Sequence, residues 1–309
     1  MKKLFFIVPL LFIFSCIGKK EHFDTVRKVP AQKLTPPGTK WLRDNLFIDE
    51  TEITNFSWLE FLYWEKRENP TMYYKMLPDT ICWTHSDVGN ADKLISQYHA
   101  YPAYRDYPVV GINYEQAIEF CNWRTDRVNE FLYRTEKKLH GSPDSSKVYS
   151  ARAPKKVKYR LPTKEEWEYA AAAGLDYCNF PMGYESLTYY NVPVNNTLEY
   201  HNYFIKDFKA IDKKCEKAIE VGCPTVPVYQ GKCNRYGLYQ IMGNVSEMIA
   251  DSLVKGLNYS TPLFSIERTE SAKGSYTINS LTYSYVLSLK YKKPEPWIGF
   301  RCICEVLEK

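Results

Sequence analysis

Arg160-Leu161-Pro162-Thr163-Lys164-Glu165-Glu166-Trp167-Glu168-Tyr169-Ala170-Ala171 is the stretch on which the fold of this 309-residue chain turns. Thr163 and Glu166 have the spacing of a capping box, in which the hydroxyl satisfies one orphan N–H of the first turn and the carboxylate reaches back to the cap. Ala170 to Ala173 carry the helix to Gly174, placed where a left-handed C′ residue ends it. Arg160 before Leu-Pro-Thr fixes the turn into that helix, and Trp167 is its residue to bury. Just upstream, Lys155, Lys156, Lys158 and Arg160 alternate with Val157 and Tyr159, the period of a solvated strand or loop edge.

Working outward, Asp49-Glu50-Thr51-Glu52-Ile53-Thr54-Asn55 leads into Trp58, Leu59, Phe61, Leu62 and Trp64, a strand followed by an amphipathic helix that Thr54 or Ser57 caps. Residues 66–107 are rich in Pro, Tyr and Asp and read as a long ordered loop or insertion. Asn113 caps a second helix with apolar positions Ala117, Ile118, Cys121, Val128, Phe131 and Leu132, ending by Leu139 because Gly141-Ser142-Pro143 follows. A second insertion spans roughly 141–154. Beyond Gly174 the chain is loop and short strand without internal repeats, so the fold class is α+β with a high irregular content.

At the other end, Lys2 and Lys3 precede an apolar run from Leu4 to Phe14, too short to cross ~30 Å of hydrocarbon but suited to a secretory signal. Ile13-Phe14-Ser15-Cys16 resembles the lipobox of bacterial lipoproteins. The expected organisation is a signal peptide at 1–15, an acylated Cys16 with a flexible tether at 16–40, and one domain at 41–309. An ordinary signal peptide with a chance cysteine is the plainer alternative. Two or three acyl chains on Cys16 would hold the protein on a membrane without a spanning helix. Ile17 follows the Cys in place of an acidic retention residue, which points to the outer membrane.

Composition agrees with a folded, exported protein: 45% hydrophobic, 25% charged and 16% aromatic residues exclude disorder and a polytopic membrane protein. The formal charge of +5 includes Lys2 and Lys3, so the mature chain carries only +3, with no basic face for a nucleic acid. Setting Cys16 aside from the nine Cys leaves eight. That even number suits disulfides in an oxidising compartment, with 105 pairings open and Cys215, Cys223 and Cys233 the most readily bridged. A thiolate metal site is the alternative; no C-x-x-C occurs, and His22, His85, His99, His140 and His201 are scattered. Cys302 and Cys304 share a strand face and reach partners elsewhere.

Six blocks together resemble the formylglycine-generating enzyme, or sulfatase-modifying factor, family. They are Glu52-Ile53-Thr54-Asn55; Tyr107-Pro108-Val109-Val110 running into Ala117 to Trp123; Arg160 to Ala171; Asn234-Arg235-Tyr236-Gly237-Leu238-Tyr239-Gln240-Ile241-Met242-Gly243-Asn244-Val245-Ser246-Glu247; Gly274-Ser275-Tyr276; and Gly299-Phe300-Arg301. The resemblance covers about Asp44 to Cys304 and implies a variant of the C-type lectin fold. Each block also has a structural role to fill. Arg160, Leu161, Pro162, Thr163, Glu166 and Trp167 build a capped turn; Gly237, Leu238, Gly243 and Asn244 supply backbone freedom and packing; Gly299, Phe300 and Arg301 form a core strand.

Enzymes of the family oxidise a substrate cysteine to formylglycine with copper held by two cysteines between the Gly-Gly-Ser-Trp-like block and Gly-Phe-Arg. The matching interval, Tyr276 to Ile298, contains no Cys. Copper(I) selects sulfur, so the chemistry does not transfer to Ser or Tyr. A pseudoenzyme without copper and without catalytic residues is the expectation. The resemblance further implies a structural calcium site at Gln240, Gly243, Val245 and Glu247. Gln240 stands where Asp or Asn is usual, and Ser246 and Met248 replace two Trp. The plainer role for Glu247 is a hydrogen bond to the same turn, and a second calcium site after Asn202 is too diverged to carry over.

The expected function is thus a non-catalytic, lipid-anchored binding or scaffold protein with a protein partner in the outer membrane or periplasm, similar in plan to gliding-motility and type IX secretion lipoproteins. A family oxidoreductase with a different active site is one alternative. A C-type-lectin-like surface protein binding glycan or peptide is the other, with Lys290 to Trp297 at the rim.

Overall fold

The computed structural model describes residues 29–31, 33–86, 90–139, 152–174, 222–231, 233–241, 243–259 and 289–307, with the backbone alone at 268–270 and 276–278. The expected leader, Cys16, the expected tether as far as residue 28, most of 141–154, Cys178, Cys215 and most of the segment after Asn202 lie outside the described residues. Met1–Ala31 and Gln32–Lys309 are separate units, and every element below belongs to the second.

Thr163 Oγ1 accepts from the Glu166 N–H at 3.3 Å, and Glu166 Oε2 accepts from the Thr163 N–H at 2.8 Å, so the capping box forms. It starts the helix α5 (Lys164–Ala172), which ends at Ala173 and Gly174, both left-handed, with φ of 50° and 78°. Arg160 closes on the same carboxylate with two bonds of 2.7 and 2.8 Å, locking the turn between strand β3 (Val157–Arg160) and α5. In β3 the alternation is the expected one: Val157 and Tyr159 are buried and Lys158 is exposed.

Helix α1 (Asn55–Glu68) is capped by Thr54, whose hydroxyl accepts from the Ser57 N–H at 3.1 Å. The 23-residue α4 (Tyr114–Glu136) carries a second capping box, Asn113 with Gln116. Between them the expected insertion is not a loop. It holds α2 (Pro70–Lys75), α3 (Ala91–Gln97) and two 3-10 turns at Thr80–His85 and Pro102–Tyr104. Pro70, Pro102 and Asp79 start three of these pieces, and their shortness leaves no period to read. The expected apolar face of α4 is also corrected: Ala117, Phe120 and Cys121 are buried, but Phe131 is 57% exposed.

Strands β1 (Thr39–Arg43), β2 (Leu46–Asp49) and β10 (Ile303–Val306) join β3 in an antiparallel sheet of order β1-β2-β10-β3. The C-terminal strand therefore lies between segments more than a hundred residues apart in sequence. A second sheet orders β8 (Leu289–Lys290), β5 (Leu253–Lys255), β4 (Ser246–Ile249) and β9 (Ile298–Phe300), with β4 and β9 parallel. Strands β6 (Arg268–Glu270) and β7 (Tyr276–Ile278) pair with each other. Gly299 is required where β4 meets β9: a Cβ there would lie 2.9 Å from Val245 Cγ2 and 3.0 Å from the Val109 carbonyl.

Trp58 and Phe120 stack at 5.5 Å, and Phe300 meets both edge-on, centring the core where α1, α4 and β9 converge. Trp167 anchors a second cluster with Leu42, Ile48, Leu238 and Ile303. Trp83, Tyr98, Tyr104, Tyr107 and Tyr259 form a third with Cys82 and Cys223, so the insertion uses its aromatics as core.

Candidate functional site

Arg301 follows β9 and is fully buried, as is Glu247 on β4. Because β4 and β9 run parallel with Glu247 opposite Gly299, the guanidinium and carboxylate meet. Arg301 Nε lies 2.8 and 2.9 Å from the two Glu247 oxygens and Nη2 lies 2.7 Å from Oε1. Trp167 Nε1 donates to Glu247 Oε2 at 2.7 Å. Arg301 also donates to the carbonyls of Tyr239 and Asp49, at 2.8 and 3.1 Å, tying the Gly-Leu-Tyr turn to the end of β2. Burial opposes the guanidinium charge, but Glu247, then Glu52 and Asp49, hold its pKa above the ordinary value.

The Gly-Leu-Tyr turn depends on its glycines as expected. Gly237 and Gly243 have φ of 79° and 139°. Leu238 is fully buried, and Asn244, itself left-handed, exchanges hydrogen bonds of 2.9 and 3.1 Å with the Val226 backbone.

The calcium expectation can be tested on unsatisfied oxygens. Gln240 Nε2 donates to the Gln230 carbonyl at 2.6 Å, which leaves Gln240 Oε1 buried without a partner. Glu52 is 1% exposed, and both its carboxylate oxygens are buried. Its burial, and then Glu247, push its pKa well up, while Arg301 and Asn244 pull it down. Glu52 and Glu247 thus face one guanidinium, leaving an uncompensated buried charge when both are ionised. Gln240 Oε1 and the Glu52 carboxylate, the latter also bonded by Asn244, are oxygen donors of the kind a hard cation takes. Among the described residues no three His, Cys, Asp or Glu form a group that could hold a metal ion, carboxylate sites included. Glu52 belongs to the first of the six blocks, and the sequence alone assigns it no role. Its signal was an acidic residue at the entry to an apolar helix.

The cysteines depart from expectation. Cys82, Cys121, Cys223, Cys233, Cys302 and Cys304 are free thiols. Cys223 sits in the aromatic cluster against Thr225, whereas Cys233 is half-exposed on the Gly-Leu-Tyr turn, so the two face different surroundings. The close pair is Cys121 on α4 with Cys302, Sγ to Sγ 3.5 Å, both buried. Burial, then Cys121, raises the Cys302 pKa; burial pushes Cys304 up to about 12. Asp49 Oδ2 accepts from the Cys302 N–H at 2.8 Å and from Arg124 at 2.7 Å.

The Lys290–Trp297 rim contributes Glu295, which bonds His85 at 3.0 Å, and Tyr291, whose hydroxyl reaches the Ile112 carbonyl at 3.3 Å. No helix of the described residues is long and apolar enough to cross a membrane.

An α+β domain of largely irregular chain, pinned by a buried Arg–Glu–Trp cluster between a capped helix and a parallel strand pair, defines the class. The chain belongs to the sulfatase-modifying factor enzyme 1-like domain family, whose model matches residues 18–306. It is 29% identical over 213 residues to the formylglycine-generating enzyme of Mus musculus, covering 62% of this chain and 50% of that protein. It is 31% identical over 156 residues to chaperone protein LppX of Paenibacillus barcinonensis, covering 45% and 50%. The chain therefore spans about half the length of these curated relatives. Among solved structures, Treponema denticola variable protein 1 is 18% identical with a TM-score of 0.42, over 88% of this chain and 92% of that one. CarF is 16% identical with a TM-score of 0.44, over 87% and 93%.

Proposed function

We propose that this chain is a non-catalytic binding or scaffold module, lipid-anchored through Cys16 to the outer membrane, that uses a formylglycine-generating-enzyme-like domain to hold a protein partner. The observation that carries this reading is the interval Tyr276 to Ile298, where the family's two copper-binding cysteines belong and no Cys stands. The buried Cys121–Cys302 pair is a poor substitute. Neither thiol is open to a substrate, and a raised pKa holds Cys302 in the unreactive thiol form. Glu52 and Gln240, with the carbonyls of Gly243 and Val245, would be the groups to hold a structural calcium ion, because Glu247 is engaged by Arg301 and Trp167; the ion would supply no step of a reaction. The name of the LppX relative, a chaperone protein, is that of a binding function and agrees with this reading.

The test is metal analysis and oxygen uptake with a cysteine-containing peptide, followed by mass spectrometry of what co-purifies with the tagged protein from its native membrane. The expected result is no thiol-dependent oxygen uptake and one stoichiometric partner. Stoichiometric copper with oxygen consumption would establish the oxidoreductase alternative instead.

A further inference from the structure

Helices α1 and α4 lie side by side in the core, yet their outer sides leave a groove of two joined chambers. One, about 590 Å³, is lined by Asp49, Glu52, Glu60 and Asp106 against Arg124 and Arg127. The other, about 830 Å³, is lined by Arg127, Arg134 and Lys138 against Glu60 and Glu130. Glu60, Arg127 and Phe131 belong to both, so the chambers are continuous. Burial favours the neutral form of Glu52, so the first sets Asp49, Glu60 and Asp106 against Arg127 and an Arg124 already paired with Asp49 at 2.7 Å. The second sets Lys138, with Arg127 and Arg134 paired to Glu130 at 2.7 and 3.5 Å, against Glu60 and Glu130. The groove is electrically polarised along its length.

Three observations say what it fits. In the acidic chamber Asp49, 3% exposed, keeps Oδ1 buried without a donor, and the Trp123 indole N–H is likewise unpartnered. A ligand there meets both an acceptor and a donor, as a peptide backbone or a cationic side chain requires. At the junction stands Phe131, 57% exposed on a helix whose other face is core. Trp64 is covered by guanidiniums, Arg67 at 4.2 Å and Arg127 at 4.4 Å from its ring centroid, so the aromatic ring at the groove is already engaged by cations.

We propose that this groove binds an extended peptide segment of a protein partner, with a lysine side chain in the acidic chamber, an apolar residue against Phe131 and a carboxylate in the basic chamber. This rests on, and deepens, the reading of the domain as a binding module. From Arg124 to Arg134 the helix rises ~15 Å, which about five extended residues span. The two charges of the ligand are therefore about five residues apart.

The test is fluorescence anisotropy of the full mature chain with two labelled octapeptides of equal composition, Gly-Lys-Ala-Leu-Ala-Leu-Glu-Gly and Gly-Ala-Leu-Lys-Glu-Ala-Leu-Gly. The first, with separated charges, should bind about tenfold tighter than the second, a difference that oppositely placed charges can supply. That preference should vanish in Arg134→Glu and, as a second variant past the end of the helix, in Lys138→Glu, with circular dichroism unchanged. Equal binding of the two peptides, no binding, or a preference that survives both variants would overturn the proposal. A stoichiometric partner that still co-purifies with Arg134→Glu would leave the binding-module reading standing and remove this groove from it.

Discussion

Glu247 accepts from Arg301 and from Trp167, and all three side chains are buried, so its charge is held by protein groups rather than by water. Removing one partner of such a pair leaves the other charge uncompensated, which costs about 3–5 kcal/mol where burial is complete. Glu247→Gln should therefore destabilise the domain by that order and lower the urea midpoint with little change in slope. A loss below about 1 kcal/mol, the worth of an exposed pair, would mean that water reaches the cluster. Arg301 was legible as a family residue, but its role was not. Its partner lies 54 positions away and is brought to it by a parallel strand pair that no local pattern announces. Arg160, by contrast, closes on a carboxylate six positions on, and that turn was readable directly.

At the scale of elements, capping chemistry transferred well. Thr54, Asn113 and Thr163 all accept the hydrogen bonds that their positions require, because a cap is decided within three residues. Short helices in the aromatic insertion did not transfer, since packing around Tyr98 and Trp83 decides them. Cysteine pairing did not either: Cys121 and Cys302 are 181 residues apart and are joined by the docking of α4 beneath the end of β9. With oxidised dithiothreitol as acceptor, these two thiols should lose two protons and two electrons and form one disulfide. Closing so long a loop is worth up to about 5 kcal/mol in the chain-entropy account. The reaction should quicken as pH rises, because the thiolate attacks and burial holds Cys302 in the thiol form. Peptide mapping that finds Cys121 and Cys302 alkylated separately after prolonged oxidation would show that the pair does not close.

For the whole molecule, burial of Glu52 predicts a pH-dependent stability, and the proposed calcium ion predicts a second dependence through the same carboxylate. Burial, and then Glu247, raise its pKa well above the ordinary 4.5. A carboxyl with a raised folded pKa binds its proton more tightly in the native state, so stability falls as pH rises from about the unfolded value through the folded one. In calcium-free protein at neutral pH, Glu52→Gln should accordingly raise the melting temperature, and below pH ~4.5 it should have little effect. If the proposed calcium ion binds at Glu52, it should reverse the sign. An ion that binds the folded state alone adds about 2.7 kcal/mol at a hundredfold excess over its Kd, and most of that gain should disappear with the Glu52 carboxylate. Differential scanning calorimetry of both proteins, with calcium and with chelator, reads the four values. If Glu52→Gln destabilises equally in chelator and in calcium, Glu52 is a structural hydrogen-bonding residue and the buried oxygens of Glu52 and Gln240 have another explanation. A crossing of the two orders would assign the ion to the Glu52 carboxylate, in the chain segment next to the Asp49 carbonyl that Arg301 ties to Tyr239.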